Sequence, residues 1–294
     1  MSGWPTRPLP YAARRSVIAG TLGAAALALI GCTRDPSEGT AALAANASAA
    51  PRLPSEHVHG VGRDTADGLV YLATHSGLYR YDRPNDPTSV GPVIDLMGFT
   101  IHGPGHFYAS GHPAAGVKLP EPAGLIESRD AGQTWKVLSR GGQSDFHALS
   151  ARNGVLAAFD GTLRISQDGT TWLTATIDAA PRDLALSPDG ATLVATTEKG
   201  PLVSTDLARS WQPITGAPML LLAAWANATT VVGATPTGQV TLSRDRGRSW
   251  TNVGTAVGQP QALSATATGK ELEVLVVTDR AILASAGGAF TTPA

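Results

Sequence analysis

All the histidines of this 294-residue chain lie between positions 57 and 147: His57, His59, His75, His102, His106, His112 and His147. Imidazole is the side chain that titrates nearest neutral pH and the commonest metal ligand. Imidazoles with one carboxylate, Asp145, would make a transition-metal site, and the Met97 thioether among them would tilt the choice from zinc toward copper. Neutral imidazole ligands need acceptors for their second ring nitrogen, and Asp95 and Asp145 are the available carboxylates. The spacing matches no compact zinc motif such as His-Glu-x-x-His, so any site must be assembled by the fold from separate segments. Three readings follow from these residue types. They are a metal site, a ligand or acid–base site, or strand-end polar residues that bond to exposed backbone and to each other.

A repeat must do the positioning. Ser128-Arg-Asp-Ala-Gly-Gln-Thr-Trp135, Ser166-Gln-Asp-Gly-Thr-Thr-Trp172, Ser204-Thr-Asp-Leu-Ala-Arg-Ser-Trp211 and Ser243-Arg-Asp-Arg-Gly-Arg-Ser-Trp250 place aspartates at 130, 168, 206 and 245, at intervals of 38, 38 and 39 residues. A fixed period of that size marks stacked supersecondary units. The aspartates Asp130, Asp168, Asp206 and Asp245 suit a tight turn, accepting bonds from its backbone N–H groups, with glycine supplying positive φ. The tryptophans Trp135, Trp172, Trp211 and Trp250 suit burial between neighbouring sheets. Weaker echoes stand at Tyr81-Asp82-Arg83 and at Ser285 to Phe290. These aspartates read as turn staples, not as an active site.

Between the boxes run short β-rich segments at even spacing, such as Val70–Thr74, Leu156–Phe159 and Leu193–Thr197, which predict a radial all-β fold. A first strand for each unit aligns as His57-Val-His-Gly-Val61, Asp95-Leu-Met-Gly-Phe99, Asp145-Phe-His-Ala-Leu149, Arg182-Asp-Leu-Ala-Leu186, Leu220-Leu-Leu-Ala-Ala224 and Gln261-Ala-Leu-Ser-Ala265. The fourth position is always small, as crowded innermost strands require. Six units predict a six-bladed β-propeller of four-stranded blades over 55–294. In such blades the start of the first strand and the second turn share a face. His57, His59, His75, Met97, His112, Asp145 and His147 should therefore meet at the channel mouth of blades one to three. His102 and His106 should lie on the other face.

The repeated turn resembles the Asp box, or BNR repeat, of sialidases, sortilin-type receptors and photosystem-assembly propellers. A wider resemblance, to exported sortilin-like BNR proteins, rests on His57-Val-His-Gly, Ala73-Thr-His-Ser-Gly-Leu, Met97-Gly-Phe-Thr, Ser110-Gly-His-Pro, Gly124-Leu-Ile and Asp145-Phe-His-Ala-Leu. Proteins of this kind are often labelled glycosyl hydrolase or sialidase, but the resemblance implies a fold and not a function. A sialidase would need a substrate-gripping arginine trio, with the first arginine in an aromatic-Arg-Ile/Leu-Pro motif. Here Arg52-Leu53-Pro54 follows Pro51, and Arg182 alone among the six strand starts is an arginine. The expectation is a binding or assembly module. A carbohydrate-active enzyme, which needs two carboxyl groups flanking a bond, is the first alternative. A metal-free protein-docking propeller is the second.

Residues 1–31 carry Arg14-Arg15 and an apolar run from Val17 to Ile30, which reads as an export signal of the Sec or twin-arginine kind. Leu29-Ile-Gly-Cys32 resembles a lipobox, which implies a diacylglycerol thioether on Cys32, the only cysteine. Residues 32–54 read as an Ala-, Ser- and Pro-rich tether that leaves the domain on the outer face of the cytoplasmic membrane. Loss of Arg7, Arg14 and Arg15 takes the formal charge from −1 to −4. With no basic stripe, nucleic acid is not an expected partner. The expected partners are the membrane, through its lipid, and a protein or carbohydrate ligand for a monomer.

Overall fold

In the computed structural model, which describes residues 53–55, 57–83, 86–286 and 289–291, the chain builds six antiparallel sheets in sequence order. Cys32, the export signal and nearly all of the tether lie outside the described residues. Blade one is β1 (Val58–Arg63), β2 (Val70–Thr74), β3 (Gly77–Arg83) and β4 (Asp86–Val90). Blade two is β5 (Ile94–Gly103), β6 (His106–Pro113), β7 (Leu125–Ser128) and β8 (Lys136–Ser139). Blade three is β9 (Ala148–Arg152), β10 (Val155–Phe159), β11 (Leu163–Ser166) and β12 (Leu173–Ala175). Blade four is β13 (Pro181–Leu186), β14 (Leu193–Thr197), β15 (Leu202–Ser204) and β16 (Gln212–Pro213). Blade five is β17 (Leu222–Trp225), β18 (Val231–Ala234), β19 (Val240–Ser243) and β20 (Thr251–Val253). Among the described residues, blade six has β21 (Pro260–Thr268), β22 (Glu271–Thr278) and β23 (Ile282–Ala286), with a bridge from Ala284 to Thr291 at the edge where a fourth strand is expected.

The first strands touch in order around a ring, β1 to β5, β9, β13, β17, β21 and back to β1, so the fold is a closed six-bladed propeller. Its core is not one mass. Six apolar wedges fill the six gaps between blades. Each repeated turn sends its aromatic into the gap behind it: Trp135, Trp172, Trp211 and Trp250 all pack against these wedges. Phe290 and Tyr81, the two echoes, occupy the remaining two.

The turns are stapled by their own side chains. Ser128 Oγ donates to Asp130 Oδ1 at 2.8 Å and accepts from the Gly132 N–H at 2.8 Å, and Asp130 Oδ1 accepts from the Thr134 N–H at 2.9 Å. The pattern recurs at Asp168, Asp206 and Asp245. Hydroxyl and backbone donors hold the Asp206 and Asp245 carboxyls down to about 2, because these bonds favour the charged form.

Ring closure runs through polar staples between adjacent blades. Phe146 N–H donates to Ser110 Oγ, Leu186 N–H to Ser150 Oγ and Ala223 N–H to Asp183 Oδ2, at 2.9, 3.0 and 2.9 Å. Blade six joins blade one through the Val58 N–H on Gln261 Oε1 at 2.9 Å and a forked Arg63–Glu273 ion pair at 2.7–3.0 Å. A fork of this kind is geometrically specific as well as attractive.

One local device sets the site. Val58 pairs with Thr74 and Gly60 with Ala73, so His59 is an extra residue in β1. Met97, Arg182 and Gln261 are extra in the same way in β5, β13 and β21. His147 and Leu221 donate their N–H to Phe159 O and Ala234 O, whose residues also pair with Ala148 and Leu222, which is the same bulge in blades three and five. A bulge bends its strand and re-aims the extra side chain. The ring of equivalent residues is therefore His59, Met97, His147, Arg182, Leu221 and Gln261. The sequence alignment holds in blades one to three and slips by one or two residues in blades four to six. The place after the bulge need not be small: it is Asp183 in blade four and Leu222 in blade five. The Asp183 carboxylate is absorbed by the N–H groups of Leu184 and Ala223.

Candidate functional site

The ring encloses a channel of about 320 Å³ to which all six first strands contribute. His59, His147 and Gln261 line it at the end where the first strands begin, and His102 and Arg152 line it where they finish. Asp183, in the wall near the first end, has its carboxyl pushed up to about 6 by burial, against the pull of two backbone N–H donors and Arg182.

At the first end the histidines form two hydrogen-bonded sets. In blade one, His75 occupies the β2–β3 turn, which Thr74 clamps by donating to Gly77 O at 2.9 Å and accepting from the Ser76 N–H at 3.0 Å. Gly77 there takes φ +117°, a conformation a side chain would resist. His75 Nε2 has two imidazole neighbours, His59 Nε2 at 3.2 Å and His57 Nδ1 at 3.3 Å. Its Nδ1 stands 2.7 Å from Asp95 Oδ1, on β5 of the next blade. Among the described residues His59, His75 and Asp95 bring one ligand atom each within 4.8 Å of one another. Burial first, then the neighbouring His75 charge, lowers the His59 pKa to about 4, so its ring is neutral at physiological pH.

The second set crosses blades two and three. Asp145 Oδ2 lies 2.7 Å from His147 Nε2 and 3.1 Å from His112 Nε2. Asp145 Oδ1 is buried and has no hydrogen-bond partner. His112 Nδ1 bonds Glu121, and this carboxylate, with Asp145 behind it, raises the His112 pKa. The insertion that carries Glu121 is pinned by Ala123 N–H on Gly111 O and Gly142 N–H on Pro122 O, at 2.8 and 2.7 Å.

The seven expected residues thus fall on one face but not in one cluster. His57, His59 and His75 meet, with Asp95 as their carboxylate. His112, Asp145 and His147 meet separately. Met97 is half-buried at the bulge equivalent to His59, and belongs to neither hydrogen-bonded set. Glu121 went unrecognised from sequence because nothing in a long insertion signals which residue folds back. His102 and His106 do lie at the other end of the strands, where His106 Nε2 bonds the buried Glu127 at 2.9 Å and both rings pack on Tyr108.

Chemically, the blade-one set offers three imidazoles beside an orienting carboxylate. Within these two sets each carboxylate is engaged with an imidazole: Asp95 with His75, Asp145 with His112 and His147, Glu121 with His112.

The chain matches no protein-family model and no curated protein sequence. Among solved structures it is similar to an ancestral GH74 enzyme, with a TM-score of 0.51 and 15% identity over 83% of this chain. The chain spans only 39% of that enzyme's length. It is also similar to YCF48 from Cyanidioschyzon merolae (TM-score 0.48, 11% identity, 82% of this chain and 96% of that one). A structure of YCF48 bound to D1 peptide aligns with a TM-score of 0.47 and 15% identity, over 82% of this chain and 83% of that one. At these identities the likeness is one of fold, the propeller described above.

Proposed function

We propose that this protein is an exported, lipid-anchored propeller that acts as a binding module and holds a transition metal, copper or zinc, on the blade-one face of its channel mouth. The observation that carries the reading is the surroundings of His75 Nε2, with His59 Nε2 at 3.2 Å and His57 Nδ1 at 3.3 Å. Two nitrogens bound at about 2.0–2.1 Å to one tetrahedral ion stand roughly 3.3 Å apart. The carboxylate on Nδ1 supplies the outer partner that ligating histidines almost always have. The donor set fits either ion, and a thioether from the next blade, Met97, would favour copper. The engagement of Asp95, Asp145 and Glu121 with imidazoles, and of Asp183 with backbone N–H groups, supports binding over glycoside hydrolysis, which needs two carboxyls free to act on a bond.

The repeated Ser–Asp staples support reading the turns as Asp boxes of the sialidase and sortilin-like kind, used here as scaffold. Anchoring belongs to the same proposal and rests on Cys32. Replacing Cys32 with Ala is expected to move the protein from the membrane to the soluble fraction, and retention in the membrane would sink the anchor.

Metal content tests the centre of the proposal. Protein purified without chelator or affinity tag is expected to carry near-stoichiometric copper or zinc by mass spectrometry. The double variant His59→Ala/His75→Ala should lose it while keeping its β circular dichroism. His147→Ala, in the separate set, should keep it. Wild-type protein that takes up no ion under challenge with excess copper and zinc would overturn the reading.

A further inference from the structure

Among the described residues, the opposite end of the channel holds a cation that no carboxylate pairs with. Arg152, the last residue of β9, directs Nη1 to the carbonyls of Ile101 at 3.0 Å and Ala151 at 2.8 Å. Those two bonds use both Nη1 protons and fix the guanidinium against the blade-two strand. Among the described residues no carboxylate pairs with it, and burial alone acts on its titration. A guanidinium stays protonated regardless, so a desolvated one calls for an anion. Arg63, which ends β1 at the same end, has that need met by Glu273. Beside Arg152 lies His102, close enough for the arginine charge to help depress its pKa below the level set by burial. Its Nδ1 is buried and has no hydrogen-bond partner. Both residues line the channel, with Thr100 and Thr266.

We infer that this end of the channel is a binding site for a small carboxylate anion, gripped side-on by the Nε–H and Nη2–H of Arg152. With Nη1 consumed by backbone, those two parallel donors remain, and their spacing matches the two oxygens of a carboxylate. One guanidinium beside a neutral imidazole balances a monoanion, so a phosphate dianion would be left short of charge. A channel of about 320 Å³ admits an acid of a few carbons or the terminal residues of a peptide. The site is separate from the histidines at the other mouth and does not depend on metal there.

The test uses the full chain titrated with acetate against chloride at matched ionic strength. The readouts are the thermal midpoint and the 15N–1H signal of Arg152 Nε. Acetate at tenfold its dissociation constant should raise the midpoint by about 3–6 °C and shift the Nε signal, while chloride does neither. Arg152→Lys, which keeps the charge without the fork, should bind at least tenfold more weakly. Arg152→Gln should not respond, and if it fails to fold, the lysine variant carries the test. N-acetylglycylglycine and its amide separate a free acid from a peptide terminus. Equal responses to the peptide acid and acetate, with none to the amide, would support a site that takes either source. An equal response to chloride, a response unchanged in Arg152→Lys, or no response to acetate at 0.1 M (a concentration on the order of a weak anion site's reach) would overturn the assignment.

Discussion

Gly98→Ala is expected to lower the stability of this propeller by about 3 kcal/mol. Gly98 lies in β5, where blades two and three approach closely. A Cβ there would stand 2.3 Å from the carbonyl oxygen of Phe146 and 3.2 Å from Leu149 Cβ. The first obstacle is backbone, so no rotamer change relieves it. Nor can that backbone retreat cheaply, because Phe146 is fully buried, its N–H is held by Ser110 and its ring lies 5.2 Å from that of Trp172. The added methyl must push two blades apart and loosen a packed wedge. At about 2–4 °C per kcal/mol for a domain of this size, the melting temperature should fall by about 6–12 °C. Gly103→Ala is the control: it lies on the same strand, no atom comes within 4 Å of its added Cβ, and it should change stability by less than about 0.5 kcal/mol. Indistinguishable melting of the two variants would show that the inner ring is not sterically closed at this point.

The staples were legible from sequence because every partner lies within about four residues: Ser128, Asp130, Gly132 and Thr134 form one closed local circuit. The imperfect third copy is legible on the same terms. Ala208 accepts φ +62° where Gly132 and Gly247 sit in the other boxes, and it is completely buried in the blade three–four wedge. Left-handed strain of about 1–2 kcal/mol there is offset by packing that glycine could not supply. The aromatic echoes at Tyr81 and Phe290 were legible because the gap between blades needs a large apolar group at a fixed phase. First-strand register was legible only halfway. Bulges at His59, Met97, Arg182 and Gln261 depend on pairing with the second strand, and Asp183 is tolerated only because the next blade donates to it. The face of the histidines followed from topology, but their division into two sets did not. That division turns on which carboxylate each ring reaches, and Glu121 reaches His112 from a loop with no period of its own.

Asp95→Asn is expected to weaken metal binding by about 10–100-fold without unfolding the protein. The 2.7 Å contact from Asp95 Oδ1 to His75 Nδ1 places the ring proton on Nδ1 and leaves Nε2 as a bare lone pair, between the nitrogens of His59 and His57. An asparagine keeps an acceptor oxygen but loses the charge that fixes this tautomer and makes Nε2 a stronger donor to an ion. Its amide can also present N–H to the ring and favour the wrong tautomer. The effect on folding should be small, because His75 and Asp95 are each more than a third exposed and water screens their attraction. His75→Ala, which removes the central nitrogen itself, should cost more than Asp95→Asn in the same competition titration with a chromophoric chelator. His147→Ala should stay within about twofold of wild type, because its partner is Asp145 and not Asp95. An Asp95→Asn affinity equal to wild type, alongside loss in His75→Ala, would show that the turn at His75 orients the ring unaided. Equal weakening by His147→Ala would instead show that the two sets share one ion, and that the channel mouth acts as a single site despite its two hydrogen-bonded halves.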